Sequence, residues 1–167
     1  MLLTCVKDLD PPSSDPDQSL KRAAWRRMNA FAAKLTSSHT VDYALYAIWT
    51  LREALEDDCT GEDLNGWLPA AAEWIFHAGE HLLSLTMVYE SGQREGDPAR
   101  GGQRWHGESG FCIERFIIWQ KRFGALASET GVETAKDASG IMKKLLTNLA
   151  MLSSANASYS ALFPFSV

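Results

Sequence analysis

The residues with the most chemical potential are His77, Glu80 and His81, in the run His77-Ala78-Gly79-Glu80-His81. On a helix, side chains four apart sit one above the other on the same face. Two imidazoles so placed can chelate zinc, and the run is a literal H-x-x-E-H match, in which the glutamate would serve as general base. A catalytic zinc takes three protein ligands, and no spacing selects the third among His106, Glu114 and Glu129. Without metal, Glu73, His77, Glu80 and His81 would form an acid–base set on one helix. A helical wheel gives a plainer reading. With Ile75 as the inward reference and about 100° per residue, Glu73, His77, Glu80, His81 and Ser84 fall on the opposite side. The sequence therefore predicts a solvated polar face here, with no cofactor and no metal, and zinc on His77 and His81 as the alternative.

Other patterns carry less. Gly107-Glu108-Ser109-Gly110-Phe111 approaches the nucleophile elbow G-x-S-x-G, but it ends in Phe and lacks the preceding strand. Ser109 reads better as the N-cap of the following helix. No E-x-x-H pair of the di-iron bundles and no phosphate-cradling G-x-x-x-x-G-K-[ST] occurs. Arg94, Arg100 and Arg104 lie in a polar loop without an anion-binding pattern. Trp49, Trp74 and Trp119 are candidates for lining an apolar ligand cavity, although large aromatics at helical spacing more often fill a core. Lys21, Arg22, Arg26, Arg27 and Lys34 make one segment basic, and Glu53, Glu56, Asp57, Asp58, Glu62 and Asp63 make another acidic. The acidic run reads as a solvated face and loop, and pairing with the basic stripe, within a chain or in a homo-oligomer, is expected ahead of nucleic-acid binding.

The elements that must position these residues are helical. Apolar residues recur at intervals of three and four, and no segment sustains the alternation of a strand. The first predicted helix starts near Asp17, with Leu20, Ala24, Met28, Phe31 and Leu35 as its inward stripe. The second runs from Val41 to Asp57 behind a Thr40 cap, and the third from Trp67 to Glu90 with Pro69 in its first turn. The fourth runs from Ser109 to Glu129, apolar enough to be central, and the fifth from Val132 to Ser154, with Gly131 breaking the chain between them. The fold class is thus all-α, one domain, a bundle of about five amphipathic helices, mostly antiparallel. Residues 1–16 read as a flexible leader, 17–157 as the bundle, 92–108 as a long Gly-rich surface loop and 158–167 as a tail.

Composition sets the outer limits. The chain has 167 residues, 46% hydrophobic and 22% charged, which is enough to enclose a core without staples. A net charge of −5 argues against nucleic acid or an anionic membrane as partner. Cys5, Cys59 and Cys112 form no pair at a disulfide or metal spacing, which suits a reducing compartment. No apolar run is long enough to span a membrane, and no signal peptide is evident, so the expected location is cytoplasmic.

Three segments carry a resemblance: LYAIWTLREALE at Leu45–Glu56, AAEWIFHAG at Ala71–Gly79, and ARGGQRWHGESGFCIERFIIWQKRF at Ala99–Phe123. Together they resemble the domain-of-unknown-function family 3632, over about Val41 to Phe123. The third segment is the most specific, joining a Gly-Gly turn and Trp105 to Ser109-Gly110-Phe111, Glu114-Arg115 and Trp119. The resemblance implies an all-helical protein of filamentous fungi and no established activity, substrate or cofactor.

A bundle without a complete catalytic set points to a non-catalytic module that binds a protein partner or a small apolar ligand. The alternative is a small enzyme of fungal specialised metabolism that works through Glu73, His77, Glu80 or His81.

Overall fold

The structure, a computed structural model, describes residues 18–85 and 97–162, the side chains of 18, 62 and 155–162 excepted. The expected leader, 1–16, and the first part of the 92–108 loop lie outside these residues. Among the described residues there are five helices and no strand: α1 Gln18–Ser37, α2 Ala44–Leu55, α3 Gly61–Ser84, α4 Ile113–Thr130 and α5 Glu133–Leu162. No helix among them is long and apolar enough to cross a membrane.

The organising element is α3, and not the fourth helix that its apolar sequence suggested. It packs against α1, α2 and α5, while α4 lies on α5 and more lightly on α2. The reason is in its small residues. Ala70, Ala71 and Ala72 are all fully buried, flanked by Leu68, Trp74, Ile75, Ala78 and Leu82. A helix buried around most of its circumference is one that others pack against from several sides. It also begins six residues earlier than expected. Thr60 is extended at its N-cap, and residues 62 and 63 lie in the first turn instead of forming a loop, where the Asp63 carboxylate favours the dipole. Pro69 therefore falls inside the helix. Its missing N–H leaves the Asn65 carbonyl four residues back without a helical donor, and Asn65 is exposed, so water can take that bond.

The inward face of α1 also differs from expectation. Leu20 and Phe31 are 66% and 61% exposed, whereas Trp25, Asn29, Ala33 and Thr36 are buried. The rotation follows from hydrogen bonding. Asn29 Oδ1 accepts from Trp74 Nε1 at 2.8 Å and from Thr50 Oγ1 at 3.0 Å, and Asn29 Nδ2 donates to the Trp25 carbonyl at 3.0 Å. A polar side chain with its bonds met inside the protein can be buried at little cost. The Asn29 node ties α1, α2 and α3 together.

The helix ends are set locally. α1 closes with His39 N donating to the Thr36 carbonyl and Thr40 N to that of Leu35, which holds His39 in the left-handed region at φ 56°. α2 starts at Ala44, three residues later than expected, because the Asp42 carboxylate accepts from Ala44 N at 2.8 Å. α4 starts at Ile113, where Cys112 is the N-cap and its sulfur accepts from Arg115 N; Ser109 does not cap it. It ends at Gly131, left-handed at φ 71°, as the sequence indicated. On α5, Ala138 and Met142 are buried but Leu152 is 64% exposed, so the apolar stripe expected there is inward only in its first half.

Candidate functional site

The His77 region begins with a buried carboxylate. Glu73 sits on the side of α3 covered by α1, where its side chain is 9% exposed. Arg26 of α1 reaches across, and its Nε donates to Glu73 Oε1 at 2.5 Å. One member of the basic stripe of α1, Arg26, thus meets Glu73 of α3, a carboxylate outside the acidic run at Glu53–Asp63. The second carboxylate oxygen, Oε2, lies 3.2 Å from His77 Nε2, one helical turn on.

His77 borders a cleft of about 600 Å³. One wall is Ser37 and His39 at the end of α1, the base is the Ile75–Ser84 stretch of α3, and Ile141 and Leu145 of α5 close the far side. His39 and His81 meet edge to face across it, with ring centroids 4.8 Å apart and planes at 87°. Gly79 is buried beneath, and a Cβ there would sit 3.3 Å from Leu145 Cδ1, so the missing side chain is what lets α5 come this close. The α3 face is therefore not uniformly wet, as the helical wheel had suggested. Glu80 is exposed, His77 and His81 are half-buried on the cleft, and Glu73 is buried. Sequence reasoning missed His39, Arg26 and the two α5 residues, since nothing in a linear pattern links them to His77.

Zinc finds little support in the geometry. His77 Nε2 is directed at Glu73, and among the described residues no group of three His, Cys, Asp or Glu could hold a metal ion. His106, Glu114 and Glu129 are not among the residues lining the cleft.

A second charged cluster lies elsewhere. Glu56, at the C-cap of α2, and Arg115, on α4, are both fully buried. Arg115 Nε donates to Glu56 Oε1 at 2.7 Å and Nη2 to Oε2 at 3.1 Å. The other three guanidinium N–H groups go to the carbonyls of Ala99, Gly110 and Arg100 at 3.0, 2.7 and 3.0 Å. Glu56 takes two more donors, Trp119 Nε1 at 2.6 Å and Gly102 N at 2.7 Å. The loop is drawn onto this pair so tightly that a Cβ at Gly102 would fall 2.5 Å from Asp57 Oδ1. Arg104 binds Asp58, Gln103 N donates to Asp57, and the Ser109 hydroxyl donates to Asp97. All five guanidinium donors are used. Glu56, Asp57 and Asp58 of the acidic run thus fasten the 97–112 loop, while Asp63 is exposed as expected of a solvated face, and Ser109 has a carboxylate partner instead of a histidine.

The three tryptophans do not gather round one cavity. Trp119 joins the Glu56–Arg115 cluster, Trp49 Nε1 donates to the Pro98 carbonyl at 2.5 Å, and Trp74 binds Asn29. Trp74 also borders a small apolar groove with Trp25, Phe31, Tyr43 and Tyr46. Cys59 and Cys112 are free thiols. Burial, then Asp63, Glu53 and Asp57, pushes the Cys59 thiol up to about 11, and burial likewise raises Cys112. Both are protonated near neutrality and poor nucleophiles.

The fold and site define a helical bundle with an imidazole-lined cleft on one side and a charge-fastened loop on the other. The chain belongs to the family described as Protein of unknown function (DUF3632), whose model matches residues 1–123. The match takes in the Val41–Phe123 resemblance and extends it to residue 1. Comparisons with curated proteins and with solved structures each gave no match. Two of the three segments that carry the resemblance, Leu45–Glu56 and Ala99–Phe123, are joined by Glu56, Gly102, Arg115 and Trp119.

Proposed function

We propose that the chain is a small-molecule-binding module whose ligand occupies the cleft between the end of α1, α3 and α5. The observation that carries this reading is the cleft itself. At about 600 Å³ it lies within the range of small-molecule sites, and it joins apolar Ile75, Ile141 and Leu145 to His39, His77 and His81. Apolar surface with a few convergent polar groups is the usual make-up of such a site. The Glu56–Arg115 cluster, with its donors all used, has nothing left to offer a ligand.

The test is a ligand-observed NMR screen of small amphipathic molecules against the full chain, repeated with Ser84→Phe. Ser84 borders the cleft, and among the described residues its hydroxyl bonds only within its own helix, to the His81 carbonyl. A phenylalanine there fills the opening without disturbing the core. Hits that are lost on this substitution support the reading; hits that persist place the ligand elsewhere, and an empty screen counts against the module.

A second reading is favoured by the Glu73–His77 contact. A carboxylate 3.2 Å from an imidazole that borders a cleft is a pairing that general bases use. An enzyme of this kind would take a proton from its substrate at the His77 imidazole, and conversion of a screened hit by the native chain but not by His77→Ala would favour it over simple binding.

A further inference from the structure

We infer that the outward face of α1 is a docking surface and that its occupant is the segment of residues 1–9 of the same chain. The apolar stripe of α1, Leu20, Ala24, Met28, Phe31 and Leu35, is the face that a helix of this sequence should bury. The Asn29 node turns it outward instead. Leu20 and Phe31 are exposed, and Ala24, Met28 and Leu35 are only partly covered. Met28 and Phe31 also border the groove shared with Trp25, Tyr43 and Tyr46. At about 50 Å³ that groove is far below the size of a small-molecule site and suits one apolar side chain. An apolar stripe continuous with such a groove marks a contact with polypeptide.

Charge and chain length name the polypeptide. Arg27 and Lys34, both exposed, run along one edge of the stripe. A second α1 packed antiparallel on the first, centred on the stripe, would bring the two Arg27 side chains together, a like-charge contact. Residues 1–9 carry the opposite pattern. Leu2, Val6 and Leu9 recur at intervals of four and three beside Leu3 and Cys5, with Asp8 among them and Asp10 next in the chain. α1 begins at Gln18, at the foot of the stripe. The eight residues between include Pro11, Pro12 and Pro16, which are suited to reversing a chain. Leu20 to Phe31 measures about 16 Å along the helix axis. Nine residues span about 13 Å as a helix or about 30 Å extended, so the segment is long enough for most or all of the stripe. The family match takes in residues 1–17 and α1 alike. The apolar C-terminal end with Phe163 and Phe165 lies outside that match and has no acidic side chain for Arg27 or Lys34.

The test uses the full chain with 13C-labelled methionine methyls, the changes Cys59→Ser and Cys112→Ser, and a nitroxide on Cys5. A hydroxyl caps α4 as the Cys112 sulfur does. Paramagnetic broadening should be strongest at Met28 on the stripe, and much weaker at Met142 in the core and at Met151, exposed on α5. Leu3→Asp should then release Met28, since taking one leucine out of an apolar contact lowers the docked population about tenfold. Phe31→Asp, at an exposed position, should do the same from the other side. Broadening at Met28 that survives both substitutions, or that never exceeds that at Met151, overturns the inference and leaves the stripe to a separate protein. A mixture of nitroxide-bearing, unenriched chain with 13C-labelled chain lacking the nitroxide should show no broadening. Broadening there assigns the segment to a second copy and also overturns the inference. Should the serine background fail to fold, the unaltered chain decides. Its NOE spectrum should connect the methyls of Leu2, Leu3 or Val6 to the Met28 methyl, and the absence of every such contact overturns the docking.

Discussion

Glu56 and Glu73 are both buried carboxylates that accept from an arginine on another helix, and they differ in what remains unspent. Glu56 and Arg115 are both dry, and every N–H of the Arg115 guanidinium has a partner. Around Glu73 the arginine is 44% exposed, and the second carboxylate oxygen faces an imidazole that is itself 30% exposed on a cleft. The first cluster is the more heavily charged and the less available. Buried charge by itself is thus a poor marker of a site; a polar group with one hydrogen-bonding direction still open is a better one.

The contrast can be broken most forcefully at Arg115. Arg115→Ala should lower stability by about 3–5 kcal/mol in denaturant unfolding, because Glu56 is left charged in a dry site. The same variant should open the 97–112 loop to limited proteolysis. A loss below about 1 kcal/mol would mean the pair is not buried as described. Trp119→Phe should come next, at about 1–3 kcal/mol, since it removes only the indole donor from Glu56 Oε1. At the other carboxylate the expected order reverses. His77→Ala should change stability by no more than about 1 kcal/mol, because Glu73 keeps Arg26, yet it should alter ligand binding more than either change at the fastening. The smallest effect concerns pH. The folded Cys59 thiol is raised to about 11 from an ordinary value of 9.0, so the unfolded chain gives up that proton first. Its contribution is whole below about 9 and is lost as pH rises toward about 11. Alkylation of Cys59 should stay slow through that range in the folded chain and quicken on unfolding; fast labelling at pH 8 would show the thiol to be less enclosed.

The number and kind of elements were legible because apolar spacing survives in each helix, as in Cys112, Phe116, Trp119, Phe123 and Leu126. The face of α1 was not, since Asn29 and Thr36 read as polar and become inward only when Trp74 and Thr50 supply bonds from other helices. Glu56 was lost in an acidic run for a related reason. Its partner is 59 residues away, and a charge whose neutraliser is that remote looks solvated. The Glu73–His77–His81 set was visible as a helical pattern, but the cleft was not. It depends on His39, which follows the end of α1 in a left-handed conformation, and on a helix more than fifty residues downstream.

That downstream helix has a bearing on how such a cleft diversifies. The family match stops at residue 123, within α4, so Ile141 and Leu145 stand outside it, whereas His39, Glu73, His77 and His81 stand inside. Substitutions confined to α5 would reshape one side of the cleft while the same imidazoles line the other, much as one lock body accepts different keyways.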